Sequence, residues 1–273
     1  ASEYGITTIN HPIRLGSAAF SVKNLQGEAA EAGVSLVIVI AFSFIPSGFI
    51  LYLINERIQK ERQLQNISGV HFITYWSVAF TWDLFVYTIV VGLAVIIVTI
   101  FKIDSYYMRE NLAAFAVITW LYGWAIIPCL YCVNRAFSKG STAYLVTFCV
   151  NLFVALITVI SLLVLLLFTG SDAGSGAASQ AYTVLRYLFL IFPQYSLGQG
   201  LLNMASNTVK YKVFLRFEED KYDNPFSTEV IGWHLVALGC EGLLFFILTL
   251  ALDGLHVPAI GLPHKNTSCD FTN

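Results

Sequence analysis

Apolar residues in this chain occur in long runs that are separated by short polar segments. The hydrocarbon core of a bilayer is about 30 Å thick, and a helix needs about 20 apolar residues to cross it. Five runs meet this length, and each must be helical in lipid because its backbone groups have no other partners there. The pattern therefore predicts an all-α, polytopic membrane helix bundle. The five predicted spans are residues 33–54, 77–100, 111–134, 141–169 and 229–252.

A sixth apolar stretch, residues 182–202, is interrupted in its middle. It contains Arg186, and Phe192, Pro193 and Gln194 break its centre. Two short helices that meet near Pro193 would form a re-entrant hairpin, which is tolerated in a membrane where protein surrounds it. The break favours such a hairpin over a clean span, and a single continuous span is the alternative.

Composition excludes a soluble enzyme. Of the 273 residues, 57% are hydrophobic and 12% are charged, whereas a soluble domain carries about 25% charged residues. The net charge of −2 gives no reason to expect a nucleic acid as partner. Cys129 and Cys132 have CxxC spacing, but a zinc site needs more ligands than two and none is near in sequence. We therefore predict no metal site.

Lysine and arginine in short loops predict the orientation of the bundle, because cytoplasmic loops carry an excess of them. Residues 55–70 hold three and residues 135–140 hold two, and both loops are predicted to be cytoplasmic. Residues 101–110 also hold two, while residues 170–181 hold none. Residues 204–228 hold four, which favours the cytoplasmic side and thus a spanning sixth stretch. These four are Lys210, Lys212, Arg216 and Lys221.

A charged segment follows the first predicted span directly. Glu56 and Lys60 have i,i+4 spacing, which favours a short helix lying along the membrane surface. One interpretation is an anchor that fixes the orientation of the first span. The other is a coupling segment that docks on a cytoplasmic motor domain. The residues assigned to this coupling segment are Asn55, Glu56, Arg57, Lys60, Gln63, Leu64, Ser68 and Gly69.

Two acidic residues fall within predicted spans, Asp83 in the second and Glu241 near the middle of the fifth. Ionisable groups in a membrane face protein or a water-filled cavity, and they commonly carry function. A structural hydrogen bond between helices is the alternative for both. Glycines flank Glu241 and would let a neighbouring helix approach closely. Arg186 is a candidate partner for either acid, and Gln194 is another for Glu241.

The sequence resembles the second membrane domain of A-subfamily ATP-binding cassette (ABC) transporters, which export lipids. The match covers about residues 33–252. It departs from the family at Asn66, where the family usually has phenylalanine, and the tail after Asp253 is unfamiliar. The stretches that carry the resemblance include Phe42-Ser-Phe-Ile-Pro-Ser47, Leu53-Ile-Asn-Glu-Arg57, Leu64-Gln-Asn-Ile-Ser-Gly-Val70, Trp82-Asp83, Leu121-Tyr-Gly-Trp-Ala-Ile-Ile-Pro128, Asn151-Leu-Phe153, Leu190-Ile-Phe-Pro193, Leu197-Gly-Gln-Gly200 and Glu241-Gly-Leu-Leu-Phe-Phe246.

This resemblance implies half of a type V ABC exporter membrane domain, with five spans and an extracellular-side re-entrant hairpin over about residues 181–205. It puts residues 204–228 on the exoplasmic side, against the charge count. Residues 1–32 would be the end of an extracellular domain or a linker, and residues 253–273 a tail toward a missing nucleotide-binding domain. We expect a piece of a longer polypeptide or a truncated product, because the chain has no initiator methionine.

The resemblance also implies a function. The chain would provide the lipid translocation path and the coupling segment of an ATP-driven transporter, with phospholipid or sterol moving sideways between helices. Its partners would be the other transmembrane half and the nucleotide-binding domains of the same polypeptide, where ATP and Mg²⁺ bind. No catalytic residue is predicted here, since no Walker loop is present. The alternatives are a polytopic membrane enzyme acting on lipids and a channel-like protein. The plasma membrane and an intracellular vesicle membrane are both open as locations.

Overall fold

The computed structural model describes residues 17–60, 64–65, 67–169, 184, 187–215 and 222–254, and these contain helices and no strand. Within these described residues seven α-helices follow one another, with a 3₁₀ turn at Asn134–Ala136 and a π-helical turn at Thr228–Gly232. The α-helices are α1 Ser17–Ile58, α2 Phe72–Phe101, α3 Asp104–Tyr107, α4 Asn111–Val133, α5 Gly140–Thr169, α6 Pro193–Leu215 and α7 Trp233–Gly254.

Five stretches of helix in the described part of the chain are long and apolar enough to cross a membrane. The prediction of an all-α, polytopic membrane helix bundle is therefore confirmed. These stretches are Gly33–Ile58, Phe72–Phe101, Asn111–Ala136, Gly140–Ile157 and Thr228–Gly254.

The bundle has two ends, which we call the basal end and the hairpin end. The basal end holds the C-terminal end of α1, the start of α2 and the turn between α4 and α5, since Tyr75 reaches Glu56 and Arg57 reaches Asn134. The hairpin end holds α3 and the start of α4. Ser35 of α1 is bonded to Tyr106 of α3 there, 2.6 Å apart. Successive spans therefore run in opposite directions.

Helix α4 is the centre of the bundle. In the most apolar 18-residue stretch of each span, 56% of the residues are buried for α4, against 17% for α2 and 17% for α7. It packs against α7, α2 and α6, while α1 packs mainly against α5 and α6. Helices α1 and α2 share almost no direct packing, although they are consecutive. The outer faces of α2 and α7 carry large apolar side chains, as expected for surfaces in contact with lipid.

Helix ends differ from the predicted span ends where polar side chains find partners. Helix α1 continues to Ile58, because Glu56 and Arg57 both bond to neighbouring elements. Helix α2 begins at Phe72, five residues before the predicted start, and the His71 side chain accepts from the Ile73 N–H at its N-terminus. The predicted boundary before residue 33 falls inside α1, which starts at Ser17. Asp253, predicted to begin the tail, belongs to α7 and is buried.

Helix α6 begins deep in the bundle. Its second residue, Gln194, bonds to Tyr122, which lies about 16 Å along α4 from Asn111 at about 1.5 Å per residue. From there α6 rises to the hairpin end, where Lys212 forms an ion pair with Asp104 at 2.9 Å. The described part of residues 204–228 thus lies at the end opposite the 55–70 segment. The count of basic residues alone favoured the other end. Of the four basic residues counted, however, Lys212 is paired with Asp104.

A labelling experiment tests this arrangement. In a variant without native cysteines, cysteines placed at the exposed positions Tyr107 and Asn224 are expected to react together with a membrane-impermeant thiol reagent. A cysteine at Ser68, which lies on the basal segment, is expected to react only after the membrane is permeabilised. Reaction at Tyr107 without reaction at Asn224 in sealed cells would show that the sixth stretch spans the bilayer.

Candidate functional site

The N-terminal end of α6, which we call the hairpin helix after the hairpin expected from the sequence, is fixed inside the bundle by one amide side chain. Gln194 Nε2 donates to Val39 O at 3.1 Å and to Ser43 Oγ at 2.9 Å, both on α1. Gln194 Oε1 accepts from Tyr122 Oη of α4 at 2.5 Å. The side chain is 1% exposed, so all of these bonds are shielded from water and lipid. Gln194 therefore joins α1, α4 and α6 at mid-membrane depth.

The two residues before Gln194 form the start of α6. Pro193 occupies the first helical position, where its fixed φ and missing N–H carry no cost. Phe192 is partly exposed, and its carbonyl accepts the N–H groups of Tyr195 and Ser196. The hairpin turn assigned from the sequence is therefore a turn into α6. Most of the preceding arm, with Arg186, lies outside the described residues.

Asp83 is buried between α2 and α4 and bonds to a tyrosine. Tyr131 Oη donates to Asp83 Oδ2 at 2.6 Å, and Asp83 is 6% exposed. Tyr122 and Tyr131 both lie on α4 but are nine residues apart, which is about half a turn in azimuth. Tyr122 therefore bonds to α6, and Tyr131 bonds to α2.

Glu241 lies at the interface between α7 and α4. Both of its carboxyl oxygens are buried and accept or donate no hydrogen bond within the described part of the chain. Gln194, considered as its partner, uses its amide on α1 and α4 instead. Glu241 and Gln194 were a plausible pair by sequence, but the sequence does not predict the depth or the rotation of α6 in the bundle.

The glycines beside Glu241 differ. A Cβ at Gly242 would lie 2.1 Å from Trp124 Cδ1 and 2.8 Å from Trp124 O, whereas a Cβ at Gly239 would meet nothing within 4 Å. Pro128 lies one turn after Trp124 and has no N–H, so the Trp124 carbonyl lacks its usual hydrogen bond within the helix. Gly242 thus allows the close approach of α7 to α4, and Gly239 takes no part. The idea that both glycines serve this contact is wrong for Gly239.

The start of the coupling segment is bound to neighbouring helices. Arg57 donates to the backbone carbonyls of Asn134 at 2.7 Å and of Phe137, in the connection between α4 and α5. Glu56 accepts from Tyr75 Oη of α2 at 2.9 Å. Neighbouring residues on a helix point about 100° apart. Glu56 can therefore bond to α2 while Arg57 bonds to the connection between α4 and α5.

The other described residues of the coupling segment are exposed. Lys60 has a left-handed φ of 58°, which ends α1 and removes the i,i+4 geometry expected between Lys60 and Glu56. Ser68 Oγ donates to Leu64 O at 3.0 Å, and Gly69 follows with φ 85°. Asn55 is exposed as well, and Gln63 lies outside the described residues. The surface available to a docking partner is therefore the part after Ile58.

A second polar cluster at the basal end involves Asp253, which sequence reasoning assigned to a tail. Its carboxylate accepts from Trp76 Nε1 of α2 at 3.0 Å and from Arg135 Nη2 at 3.0 Å. Arg135 also donates to Leu252 O at 3.1 Å, a carbonyl in the last turn of α7. Three spans are therefore joined at this point.

A cleft of about 290 Å³ opens between α1 and α2 at the basal end. Glu56 and Asp83 both line it, together with Tyr52, Tyr75 and Trp82. The cleft exists because α1 and α2 diverge above their contact at Glu56 and Tyr75. The remaining lining residues are Leu53, Gln65, Val70, Thr74, Val78 and Ala79.

At the hairpin end, Asn111 at the start of α4 holds α3, helix α6 and the segment before α7 together. Its Nδ2 donates to Ser105 O at 2.8 Å and to Thr208 Oγ1 at 3.0 Å, and its Oδ1 accepts from Tyr222 Oη at 2.6 Å. The Arg109 guanidinium lies 4.8 Å from the ring centres of both Tyr211 and Tyr222.

Tyr222 ionises less readily than an ordinary tyrosine. Burial raises the pKa of Tyr222, and nearby Glu110 raises it further, while Arg109 opposes both. Its hydroxyl is therefore protonated at neutral pH and available to donate to Asn111. No sequence pattern predicted this cluster, since Asn111 was counted only as the first residue of a span.

No group of three or more His, Cys, Asp or Glu side chains that could hold a metal ion lies within the described ranges. Cys132 instead contacts Thr249 of α7, with Sγ and Oγ1 3.2 Å apart. The polar residues brought together are thus arranged for helix packing and for lining the basal cleft.

Comparison with known proteins gives a family match along nearly all of the chain. Residues 1–251 match the model of ABC-2 family transporter protein. The chain is 38% identical over 251 residues to the retinal-specific phospholipid-transporting ATPase ABCA4 of Homo sapiens. It is 34% identical over 250 residues to the phospholipid-transporting ATPase ABCA7 of Homo sapiens, and 32% identical over 248 residues to the ATP-binding cassette sub-family A member 2 of the same organism.

These alignments cover most of this chain and a small part of each relative. The first two cover 92% of this chain and 11% of the relative, and the third covers 90% and 10%. The chain thus spans about a tenth of the length of the curated relatives it matches.

Proposed function

Because the chain belongs to the ABC-2 family of transporter proteins, in its A subfamily, we propose that it forms one half of the membrane domain of an ATP-driven phospholipid transporter. The observation that carries this proposal is the similarity, over 92% of the chain, to proteins named as phospholipid-transporting ATPases. The chain is an integral, multi-pass membrane protein. Its proposed partners are a second transmembrane half and two nucleotide-binding domains of the same polypeptide, which would bind ATP and Mg²⁺.

The arrangement of polar groups supports a lipid path beside α1. Transport of a phospholipid requires a polar headgroup to cross an apolar layer, where an unsatisfied polar group costs several kcal/mol. Helix α1 carries Glu56 at the basal end and borders the cleft that reaches Asp83. A phospholipid would enter this cleft sideways from the bilayer.

The contacts of α1 support a coupling role for residues 55–70. A force applied to the exposed part after Ile58 would reach Arg57 within one turn of helix. Arg57 would pass it to the α4–α5 connection through Asn134 and Phe137. Helix α1 is continuous from there to the level of Gln194, so the hairpin helix would move with it.

Substitution of Arg57 tests the coupling role. In the full-length polypeptide, Arg57→Ala is expected to lower phospholipid-stimulated ATP hydrolysis in proteoliposomes about tenfold, because coupling between sites is worth about 1–3 kcal/mol. Hydrolysis without added phospholipid is expected to persist, and so is surface expression. Lys139→Ala is the matched control, since this basic side chain is exposed at the same end of the bundle and lies outside the coupling segment.

Normal stimulation in Arg57→Ala would reduce the segment to an anchor that fixes orientation. Failure of the wild-type polypeptide to move any phospholipid on addition of ATP would refute the proposed function itself.

A further inference from the structure

The short connection between α4 and α5 is bonded to the ends of two other spans. From the end of α1, Arg57 donates to the backbone carbonyls of Asn134 and Phe137. Arg135 lies between these two residues in sequence, and its guanidinium donates to the Asp253 carboxylate at the end of α7. One guanidinium therefore reaches this connection from α1, and a second extends from it to α7.

The end of α7 is also bonded to α2. One oxygen of the Asp253 carboxylate accepts from Arg135 Nη2, and the other accepts from Trp76 Nε1, each at 3.0 Å. The second Nη of Arg135 donates to Leu252 O at 3.1 Å. Asp253 and Trp76 are buried, and we call Trp76, Arg135 and Asp253 the basal clamp. Because its bonds go to two different elements, the clamp fixes the direction in which the chain leaves α7.

Stability alone does not account for the clamp. Helix α7 is already held on α4 by the close approach of Gly242 to Trp124 and by the bond from Thr249 Oγ1 to Pro128 O. A buried ion pair gains little stability over apolar side chains of similar size, because removing two charges from water is costly. Its better-attested use is to fix one arrangement of the parts it joins. The clamp joins α7 to α2 and to the connection that holds Arg57.

We propose that Arg135 and Asp253 are positioning residues, which lock the end of α7 and the end of α1 into one rigid unit. In the proposed transporter a nucleotide-binding domain acts on the bundle at two places. It docks on the coupling segment after Ile58, and the chain after Gly254 joins it to α7. The clamp makes these two attachments move together, so that neither slides past the other. This inference rests on the proposed function, because that function supplies the motor domain.

Distances between spin labels test the rigid unit directly. In a full-length polypeptide without native cysteines, labelled cysteines replace Ile58 near the end of α1 and Ala251 near the end of α7, which are both exposed. One narrow distance distribution is expected, with the same mean without nucleotide and with trapped ATP. Asp253→Asn offers one acceptor oxygen where the carboxylate uses two, so its mean distance is expected to shift between the two states. Asp104→Asn, at the hairpin end, is the matched control and is expected to show no shift.

Transport measurements connect the unit to function. Per folded transporter, Asp253→Asn is expected to lower the rate of ATP-driven phospholipid movement about fivefold, and Arg57→Ala about tenfold. Because both act through the same connection, the double variant is expected to lose about tenfold and not about fiftyfold. Separate structural defects would instead add. Arg135→Lys keeps the charge but lacks the fork that binds Leu252 O and Asp253 together, so it is expected to behave like Asp253→Asn.

A nucleotide-dependent distance between the two labels with the clamp intact would overturn the inference, and so would additive losses in the double variant. An unchanged transport rate in Asp253→Asn contradicts it as well. If Asp253→Asn does not fold, Arg135→Lys takes its place in both measurements. Absence of phospholipid movement by the wild-type polypeptide contradicts the proposed function instead, and the label distances then still decide whether the clamp holds the two helix ends together.

Discussion

Gly242→Ala is expected to destabilise the bundle by about 2–4 kcal/mol, toward and above the upper range for an overpacked interior. The added Cβ would lie 2.1 Å from Trp124 Cδ1 and 2.8 Å from Trp124 O. The ring cannot move freely, because it packs against Phe80 at 5.2 Å, and the carbonyl is part of α4. Helices α4 and α7 would have to separate along their contact. Denaturant-driven unfolding of the purified protein in micelles measures the loss.

Gly239→Ala is the matched control, three residues away on the same helix. A Cβ there meets nothing within 4 Å, so no packing is disturbed. Alanine also favours a helix by about 1 kcal/mol relative to glycine. This variant is expected to be as stable as the wild type or slightly more stable. Similar losses in both variants would show that the α4–α7 contact is not where Gly242 and Trp124 put it.

Gln194→Met is expected to have the second large effect, a loss of about 3 kcal/mol with detachment of the hairpin tip. The substitution keeps the approximate volume and removes all three hydrogen bonds of the amide. Each buried polar group left unsatisfied costs about 1–3 kcal/mol. Ser43 Oγ keeps its own bond to Val39 O at 2.9 Å, so the Tyr122 hydroxyl bears most of the loss. Protease sensitivity of residues 187–215 and unfolding in micelles report the effect.

Gln199→Met provides the comparison for this prediction. Gln199 lies on the same helix and is 2% exposed, but its amide bonds to Asn203 within α6. Its loss is expected to cost about 1 kcal/mol, the usual worth of one such bond. A cost at Gln199 equal to that at Gln194 would show that burial alone, and not the link between three helices, sets the stability.

The spans were predictable from the sequence because lipid imposes a strong local rule. A segment without water must satisfy its own backbone, so an apolar run of sufficient length is a helix whatever surrounds it. The break at Pro193 was visible for the same reason, since a span with polar residues and a proline at its centre violates that rule. Neither argument depends on knowing which helices are neighbours.

Partners between helices were not predictable, because azimuth and depth are decided by the whole bundle. Asp83 and Glu241 are both acidic residues within predicted spans. Asp83 has Tyr131 as its hydrogen-bond partner, whereas Glu241 has no hydrogen bond within the described residues. Gly239 and Gly242 are three residues apart, and only one meets another helix. Tyrosines supply several of the decisive hydroxyl groups, but an apolar-run analysis counts them as hydrophobic.

The π-helical turn at Thr228–Gly232 has a consequence for chain length in this region. Asn203 Nδ2 donates to Val230 O at 2.8 Å and fixes the turn to α6, so its position is set before α7 begins. Gly242, Thr249 and Asp253 then reach α4 and its neighbours from one face of α7. Loss of a single residue from the turn would rotate this face by about 100°. The number of residues in this turn therefore decides which face of α7 meets α4.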